Sequence, residues 1–282
     1  MGSTKIQING IIASTIIGCY EYERDNIQDL IIDVQAQLYR HNWIIQDELD
    51  TTVDYVKLID HIKAIVPSTN CYLLETLAQR LADELLEYSS LIEQISVTLT
   101  KPAICGGMAQ EIKVNYVKKR QFKIALALGS NWEFLPQQQI ITAIEILGEY
   151  INDIKIGGLY ETKPVGYLEQ RNFYNTAIIG YTSLKPEDLF SKIKSIEKLM
   201  GKAEIIRNGP RIIDIDLILF AGLVYTHNFL TIPHKRAYLR DFVLLPLADI
   251  AGDWVYPTLN KTINQLVLDL PESNSILRKI EF

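Results

Sequence analysis

Two aspartates, Asp214 and Asp216, lie two residues apart inside "GPRIIDIDLIL", a run otherwise rich in Ile and Leu. Such a run is a buried strand. Strand side chains alternate faces, so both carboxylates share one face while Ile213, Ile215 and Leu217 share the other. Paired acids on an apolar strand call for positive charge opposite them. Hard cations such as magnesium take carboxylate oxygens and keep positions open for phosphate. Just upstream, "RNGPR" supplies Arg207 and Arg211, with Gly209 and Pro210 making a turn that fixes their direction. Acids beside guanidiniums suit a polyphosphate held between metal and arginine. The plainer reading is an edge strand with one wet face. No G-x-x-x-x-G-K-[ST] occurs, so this is not a P-loop.

Other chemistry-bearing residues cluster in the same half. "ALALGSN" closes a strand in a glycine turn, and "YETKPVG" places Pro164 and Gly166 in a loop after a strand. "FYN" offers the ring of Phe173 and the amide of Asn175. "IPHKRAYLRDF" packs His234, Arg236, Arg240 and Phe242 into one short span. Taken singly, the two phenylalanines read as core, His234 as a satisfied buried histidine and Arg236 as surface. Taken in order, "GSN", "T-x-P-x-G", "F-x-N", "GPR-x-x-D-x-D" and "PH…R-x-F" resemble the 6-hydroxymethyl-7,8-dihydropterin pyrophosphokinase family across residues 122–282. That family moves the terminal diphosphate of ATP to the pterin hydroxymethyl group and releases AMP. The resemblance implies that Asp214 and Asp216 hold two magnesium ions with ATP. It implies that Phe173 and Phe242 stack on the pterin, and that Asn175 and the backbone near Thr162, Pro164 and Val165 bond its edge. Lys194, Glu197, His234, Arg236 and Arg240 would line the ATP site, and Arg211, Lys202 and Arg207 would supply catalytic cations. The family usually opens its catalytic loop with G-R-x-R; here Lys202 and Glu204 take the arginine positions.

The first half carries fewer signals: Glu21 and Glu23 in "IGCYEYER", Tyr55 in "VDY", Leu74 and Glu75 in "LLE", Lys101 in "KP". Alone, Glu75 reads as a solvated acid near a helix N-terminus and Lys101 as a surface lysine. In order, they resemble the dihydroneopterin aldolase family over residues 4–119. The resemblance implies that Glu75, beside Leu74, grips the pterin edge, that Lys101 and Tyr55 move protons, and that Glu23 orders the surroundings of Lys101. It implies no cofactor for this half, because the dihydropterin imine itself accepts the electrons of the cleaved bond. It also implies a site between subunits, hence a homo-oligomer formed through this half.

Elements must position these residues. Residues 1–120 read strand, strand, helix, helix, strand, strand, with Leu73, Leu77, Leu81 and Leu85 recurring every fourth residue in the second helix. The expected domain is a four-stranded antiparallel sheet with two helices, of the tunnelling-fold type once the resemblance is added, and its small sheet leaves edges that suit self-association. At "KKRQFKIALALGSN" a nearly continuous apolar strand begins, which places the boundary near residues 118–122. Residues 121–282 read strand 122–128, helix 136–150, strand 154–161, strand 173–182, helix 185–200, strand 212–219 and a helix-and-turn tail. That order is ferredoxin-like, so the whole is α+β with two domains.

At 48% hydrophobic and 22% charged, the composition is that of a globular protein. A net charge of −6 excludes a general nucleic-acid binder. The longest early apolar stretch is too short to cross a membrane and lacks signal-peptide flanks. Cys19, Cys71 and Cys105 lie far apart, which fits a reducing cytoplasm and no zinc site. The combined expectation is a bifunctional folate-biosynthesis enzyme, a lyase followed by a transferase, acting on 7,8-dihydroneopterin, 6-hydroxymethyl-7,8-dihydropterin and ATP. The alternative is a pyrophosphokinase whose first domain only assembles the oligomer or binds pterin.

Overall fold

The computed structural model describes residues 4–38, 48–49, 52–104, 109–164, 166–201, 209–227, 229–271 and 275–281. The chain divides into two compact units, Met1–Arg120 and Gln121–Phe282.

The first unit contains β1 (Lys5–Thr15), α1 (Glu21–Arg24), β2 (Gln28–Leu38), α2 (Tyr55–Ile65), α3 (Leu74–Tyr88), β3 (Ile92–Ile104) and β4 (Ala109–Lys119). The strands form one antiparallel sheet in the order β1-β2-β3-β4. Alternation buries Leu30, Ile32, Val34, Ala36 and Leu38 of β2 with Ile95, Val97 and Leu99 of β3. Leu58 and Ile62 of α2 and Leu77, Leu81 and Leu85 of α3 close over them in a single core. Leu73 is the exception to the leucine stripe: it precedes α3 as an exposed N-cap. Asp54 starts α2 by accepting the N–H groups of Val56 (3.1 Å) and Lys57 (3.2 Å), donors a helix start leaves without partners. The short α1 was not visible in the sequence pattern. It follows β1 directly and carries Glu23.

The second unit begins with β5 (Phe122–Ser130), α4 (Pro136–Leu147), β6 (Asn152–Ile156), β7 (Leu159–Thr162), β8 (Phe173–Thr182), α5 (Pro186–Leu199) and β9 (Asp214–Phe220). Then come β10 (Tyr225–His227), β11 (Leu230–Ile232), α6 (Asp241–Ala251), β12 (Val255–Tyr256), β13 (Lys261–Thr262), α7 (Ile263–Leu268) and β14 (Ile276–Ile280). The main sheet runs β14-β7-β8-β5-β9, with β6 also pairing β8. The order β7-β8-β5-β9 is the ferredoxin-like one. One face packs α4 and α5 against Ile124, Leu126, Leu128, Ile215 and Leu217; the other packs α6 and α7 against Ala125, Ala177, Ile179 and Ile218.

Three expectations need correction. The strand expected at 154–161 is two strands, β6 and β7, interrupted at Gly157 and Gly158. A Cβ on Gly157 would stand 2.1 Å from the Pro246 carbonyl oxygen of α6, so close backbone contact requires glycine there. The tail is not only helix and turn, because β14 pairs with β7 and extends the main sheet. Gly129 of "GSN" lies within β5 rather than in a turn, paired on both sides. Among the described residues, no helix is long and apolar enough to cross a membrane.

Candidate active sites

Register assembles the site of the second unit. On β5, Gly129 lies opposite Asn175 of β8 on one side and Asp214 of β9 on the other. A Cβ on Gly129 would come within 2.5 Å of the Asn175 Oδ1, so the glycine makes room for that amide. Asn175 is buried and donates from Nδ2 to Thr162 Oγ1 at 2.8 Å, which fixes its orientation. Phe173, at the start of β8, and Phe242, in the first turn of α6, are half-buried. The Arg240 guanidinium lies 5.5 Å from the Phe242 ring centroid. Pro164 is half-buried directly after β7.

Asp214 and Asp216 project from the face of β9 opposite Ile215 and Leu217, as the alternation requires. Arg211 Nη1 meets Asp214 Oδ2 at 2.7 Å. Asp216 Oδ2 faces His234 Nε2 and Arg240 Nη1, each at 3.9 Å. Burial, and then the neighbouring Asp214 charge, push the Asp216 carboxyl above its ordinary value, against the opposing pull of His234, Lys194 and Arg240. Burial pulls His234 down towards the neutral form. His234 Nδ1 accepts the Arg236 N–H at 3.4 Å, which leaves Nε2 as the protonated nitrogen facing Asp216. The Arg236 side chain is exposed.

This chemistry fits a hard dication. Two carboxylates share one strand face, and the carboxyl of Asp216 is pushed above its ordinary value by burial and then by the Asp214 charge, as suits a pair that would share a cation. Among the described residues no third His, Cys, Asp or Glu completes a protein-only cage. Magnesium would therefore draw its other oxygens from phosphate and water.

Further contacts support this arrangement. Glu197 is buried, and its carboxylate holds the backbone of β9: Oε1 accepts the Ile215 N–H at 2.8 Å and Oε2 meets Lys194 Nζ at 2.9 Å. Lys194 also reaches the Ile215 carbonyl at 3.4 Å. The pair thus fixes the residue between the two aspartates. Asn131, the last residue of "GSN", is 2% exposed and carries no role in the resemblance. It exchanges two bonds with the Arg211 backbone, Arg211 N to Asn131 Oδ1 at 2.8 Å and Asn131 N to Arg211 O at 3.2 Å. Its amide Nδ2 donates to Gln170 Oε1 at 2.9 Å. Val165, Lys202, Glu204 and Arg207 lie outside the described residues.

The site of the first unit comes together only in part. Lys101 is 7% exposed, and its Nζ donates to Glu23 Oε1 at 2.6 Å and to the Ile17 carbonyl at 3.3 Å. The Lys101 hydrogen bond holds the Glu23 carboxyl below its ordinary value. Glu23 Oε2 also accepts the Tyr20 N–H at 3.0 Å. Gly18, at φ +135°, permits this fold-back, because a Cβ there would stand 2.2 Å from Glu23 Oε2. Arg24 anchors α1 to the approach of α3, donating to the Cys71 carbonyl at 2.9 Å and lying 4.4 Å over the Tyr72 ring. Gly18 and Arg24 stand in the quoted motif "IGCYEYER", yet only the folded chain shows what they contact.

Tyr55 opens α2 and is 57% exposed. Leu74 and Glu75 open α3; Leu74 packs against the core and Glu75 is exposed. Among the described residues, neither Tyr55 nor Glu75 forms a hydrogen bond or ion pair with the Lys101–Glu23 pair.

Comparison with known proteins follows this division. Residues 125–252 match the family model of 7,8-dihydro-6-hydroxymethylpterin-pyrophosphokinase, and residues 6–117 match that of dihydroneopterin aldolase. The folic acid synthesis protein FOL1 of Dictyostelium discoideum is 35% identical over 301 residues, covering 96% of this chain and 45% of that protein. The 2-amino-4-hydroxy-6-hydroxymethyldihydropteridine pyrophosphokinase of Aquifex aeolicus is 38% identical over 126 residues, covering 45% of this chain and 79% of that protein. The crystal structure of E. coli dihydroneopterin aldolase in complex with neopterin aligns with 41% of this chain and 98% of its own, at 20% identity and a TM-score of 0.37. The chain spans between 37% and 45% of the length of the three folic acid synthesis proteins that match nearly all of it. The chain belongs to the 7,8-dihydro-6-hydroxymethylpterin-pyrophosphokinase family, and the residues ahead of that part match the dihydroneopterin aldolase family model.

Proposed function

We propose that this chain performs two consecutive steps on a pterin: retro-aldol cleavage of 7,8-dihydroneopterin, then pyrophosphorylation of the 6-hydroxymethyl-7,8-dihydropterin so formed. The observation that carries the reading is the register at Gly129, which sets a buried amide and a metal-type carboxylate on either side of one strand position. A pterin bonded by Asn175 and stacked by Phe173 and Phe242 would present its hydroxymethyl group towards Asp214 and Asp216. When bound, magnesium at these two aspartates would neutralise phosphate charge and hold the chain of ATP in line. Arg211 and Arg240 would stabilise charge on the migrating diphosphate, and His234 would donate from Nε2. Lys194 and Arg236 would contact ATP from the rim, Glu197 would hold the metal strand, and Lys202 and Arg207 would add cations from the adjoining loop.

In the first unit, Glu75 would bind the amino-and-ring-N–H edge of the pterin with two charge-assisted bonds, with the Leu74 backbone beside it. Lys101 and Tyr55 would move protons to and from the substrate hydroxyl and ring while the C–C bond breaks, and Glu23 would hold the Lys101 amine in place. The cleavage electrons enter the ring imine, so no cofactor is invoked. Tyr55 and Glu75 stand apart from the Lys101–Glu23 pair, and β1 and β4 each pair on one side only among the described residues. A homo-oligomer in which neighbouring chains complete each site accounts for both. The widely spaced cysteines suit action in the cytoplasm.

The test is direct. Purified protein with magnesium, ATP and 6-hydroxymethyl-7,8-dihydropterin should form AMP, and with 7,8-dihydroneopterin it should release glycolaldehyde. AMP without glycolaldehyde would leave the first unit an assembly module.

A further inference from the structure

A buried carboxylate outside the machinery above marks the C-terminal strand as part of the pterin slot. Asp241 is 5% exposed at the start of α6, immediately before Phe242. A buried carboxylate is costly unless hydrogen-bonded. Here it accepts the Phe242 N–H at 2.7 Å, and the Ser275 hydroxyl sits against both its oxygens, 2.5 Å from Oδ2. Ser275 lies just before β14, far along the chain. Its carbonyl accepts the N–H of Lys163 at 2.8 Å, and the next residue, Ile276, pairs with Thr162. One serine therefore touches the backbone beside Thr162 through its carbonyl and the carboxylate beside Phe242 through its hydroxyl.

The same strand ties the opposite wall. Arg278 Nε donates to Glu161 Oε2 at 2.8 Å, and Glu161 Oε1 accepts from Asn172 Nδ2 at 2.8 Å. Asn172 directly precedes Phe173. Each aromatic wall thus lies one residue from a side chain bonded, directly or through Glu161, to the C-terminal strand. Packing alone would be served by apolar residues at these places. A buried acid and a hydroxyl instead impose a fixed distance.

We propose that Ser275 and Asp241 are positioning residues that, with Arg278, brace the two walls of the pterin slot at the spacing a flat bicyclic ring needs. This deepens the pyrophosphokinase reading and rests on it. The brace acts on pterin affinity and leaves ATP affinity alone.

The experiment compares wild type with Ser275→Ala, Ser275→Thr, Asp241→Asn and Arg278→Gln. It measures pterin KM, ATP KM, turnover and thermal midpoint for the full chain. Ser275→Ala should raise pterin KM by about tenfold, the usual value of one hydrogen bond to a charged group, with ATP KM unchanged. Ser275→Thr, which keeps the hydroxyl, should restore most of the loss. Arg278→Gln should have the smallest effect, because the Arg278 side chain is exposed. If Ser275→Ala and Asp241→Asn both lower the thermal midpoint while pterin KM of the folded protein stays at the wild-type value, the pair only caps a helix and the brace is refuted. If Ser275→Ala is too unstable to assay, Asp241→Asn carries the decision on the same two readouts. A wild-type chain that forms no AMP would overturn the activity reading and the brace together. AMP formation with unchanged pterin KM in the variants would overturn the brace alone.

Discussion

The two candidate sites are assembled by different means. In the second unit the proposed pterin amide and the proposed metal acid are strand neighbours, on β8 and β9 either side of Gly129, and adjacent register delivers both. Arg211, Arg240 and His234 reach the same two carboxylates within the same chain. In the first unit Lys101 and Glu23 meet, while Tyr55 and Glu75 stand exposed at the starts of two helices and, among the described residues, bond to neither. A site written into the register of one sheet is complete once the sheet forms. A site shared between a strand end and helix starts, on a sheet with two open edges, needs a further surface. The difference predicts that one activity belongs to the single chain and the other to an assembly.

The strongest test of that independence is removal of the proposed metal acids. Asp214→Ala or Asp216→Ala should reduce AMP formation by at least about a thousandfold, since both electrostatic stabilisation and metal binding fail. Glycolaldehyde release should be untouched, because the two units have separate cores. Near-normal AMP production by either variant would remove the metal assignment. Loss of both activities would remove the independence.

Next in size is Lys101→Ala, which should slow aldolase turnover by roughly 10²–10⁴-fold, the range of a positioned acid–base group. AMP formation should not change. Glu75→Gln should instead weaken dihydroneopterin binding, as an amide offers one acceptor where the pterin edge presents two donors. A lysine variant with normal turnover would leave the buried pair as structure only.

The assembly half of the comparison can be tested by mixing. Tyr55→Phe chains and Glu75→Ala chains, each inactive as an aldolase, should recover partial activity after subunit exchange. In mixed oligomers some pockets would draw an intact Tyr55 from one chain and an intact Glu75 from its neighbour. Proven mixed oligomers with no recovery would place both residues in one pocket of one chain.

The sequence made these two sites legible to different degrees, and the reason is physical. Asp214 and Asp216 stand out because two charges interrupt a period-two apolar strand, a local signal. The α/β order of the second unit and the leucine repeat of α3 were legible for the same reason. The Lys101–Glu23 contact joins residues 78 apart, and no local pattern announces it. Gly129 looked like a turn glycine, yet the Asn175 amide across the sheet is what requires it. Strand β14, with Lys279 between Arg278 and Ile280, lacks apolar continuity because an edge strand buries little. The bond of Glu197 to the Ile215 backbone becomes visible only when α5 packs on β9.

The smallest expected effect contrasts a carboxylate whose charge its partner favours with one whose charge burial disfavours. Glu23 is held below its ordinary 4.5 by Lys101, so its ion pair adds stability above that value and loses it as pH falls through the lower folded value. Glu23→Gln should therefore cost about 1 kcal/mol, a few degrees of thermal midpoint, between about pH 6 and 8. The gap to wild type should close below pH 4.5. Asp216 is the opposite case: burial and Asp214 disfavour its charge, so in chelator-treated protein at neutral pH Asp216→Asn should leave stability unchanged or raise it. Magnesium with ATP should then stabilise wild type and leave the Asp216→Asn protein where it was. One acid is paired within the chain and supports the fold; the other, on the proposed reading, would meet a cation that arrives with substrate. Midpoints for the two variants that move in the same direction at neutral pH would erase that distinction, and with it the proposed metal role of Asp216.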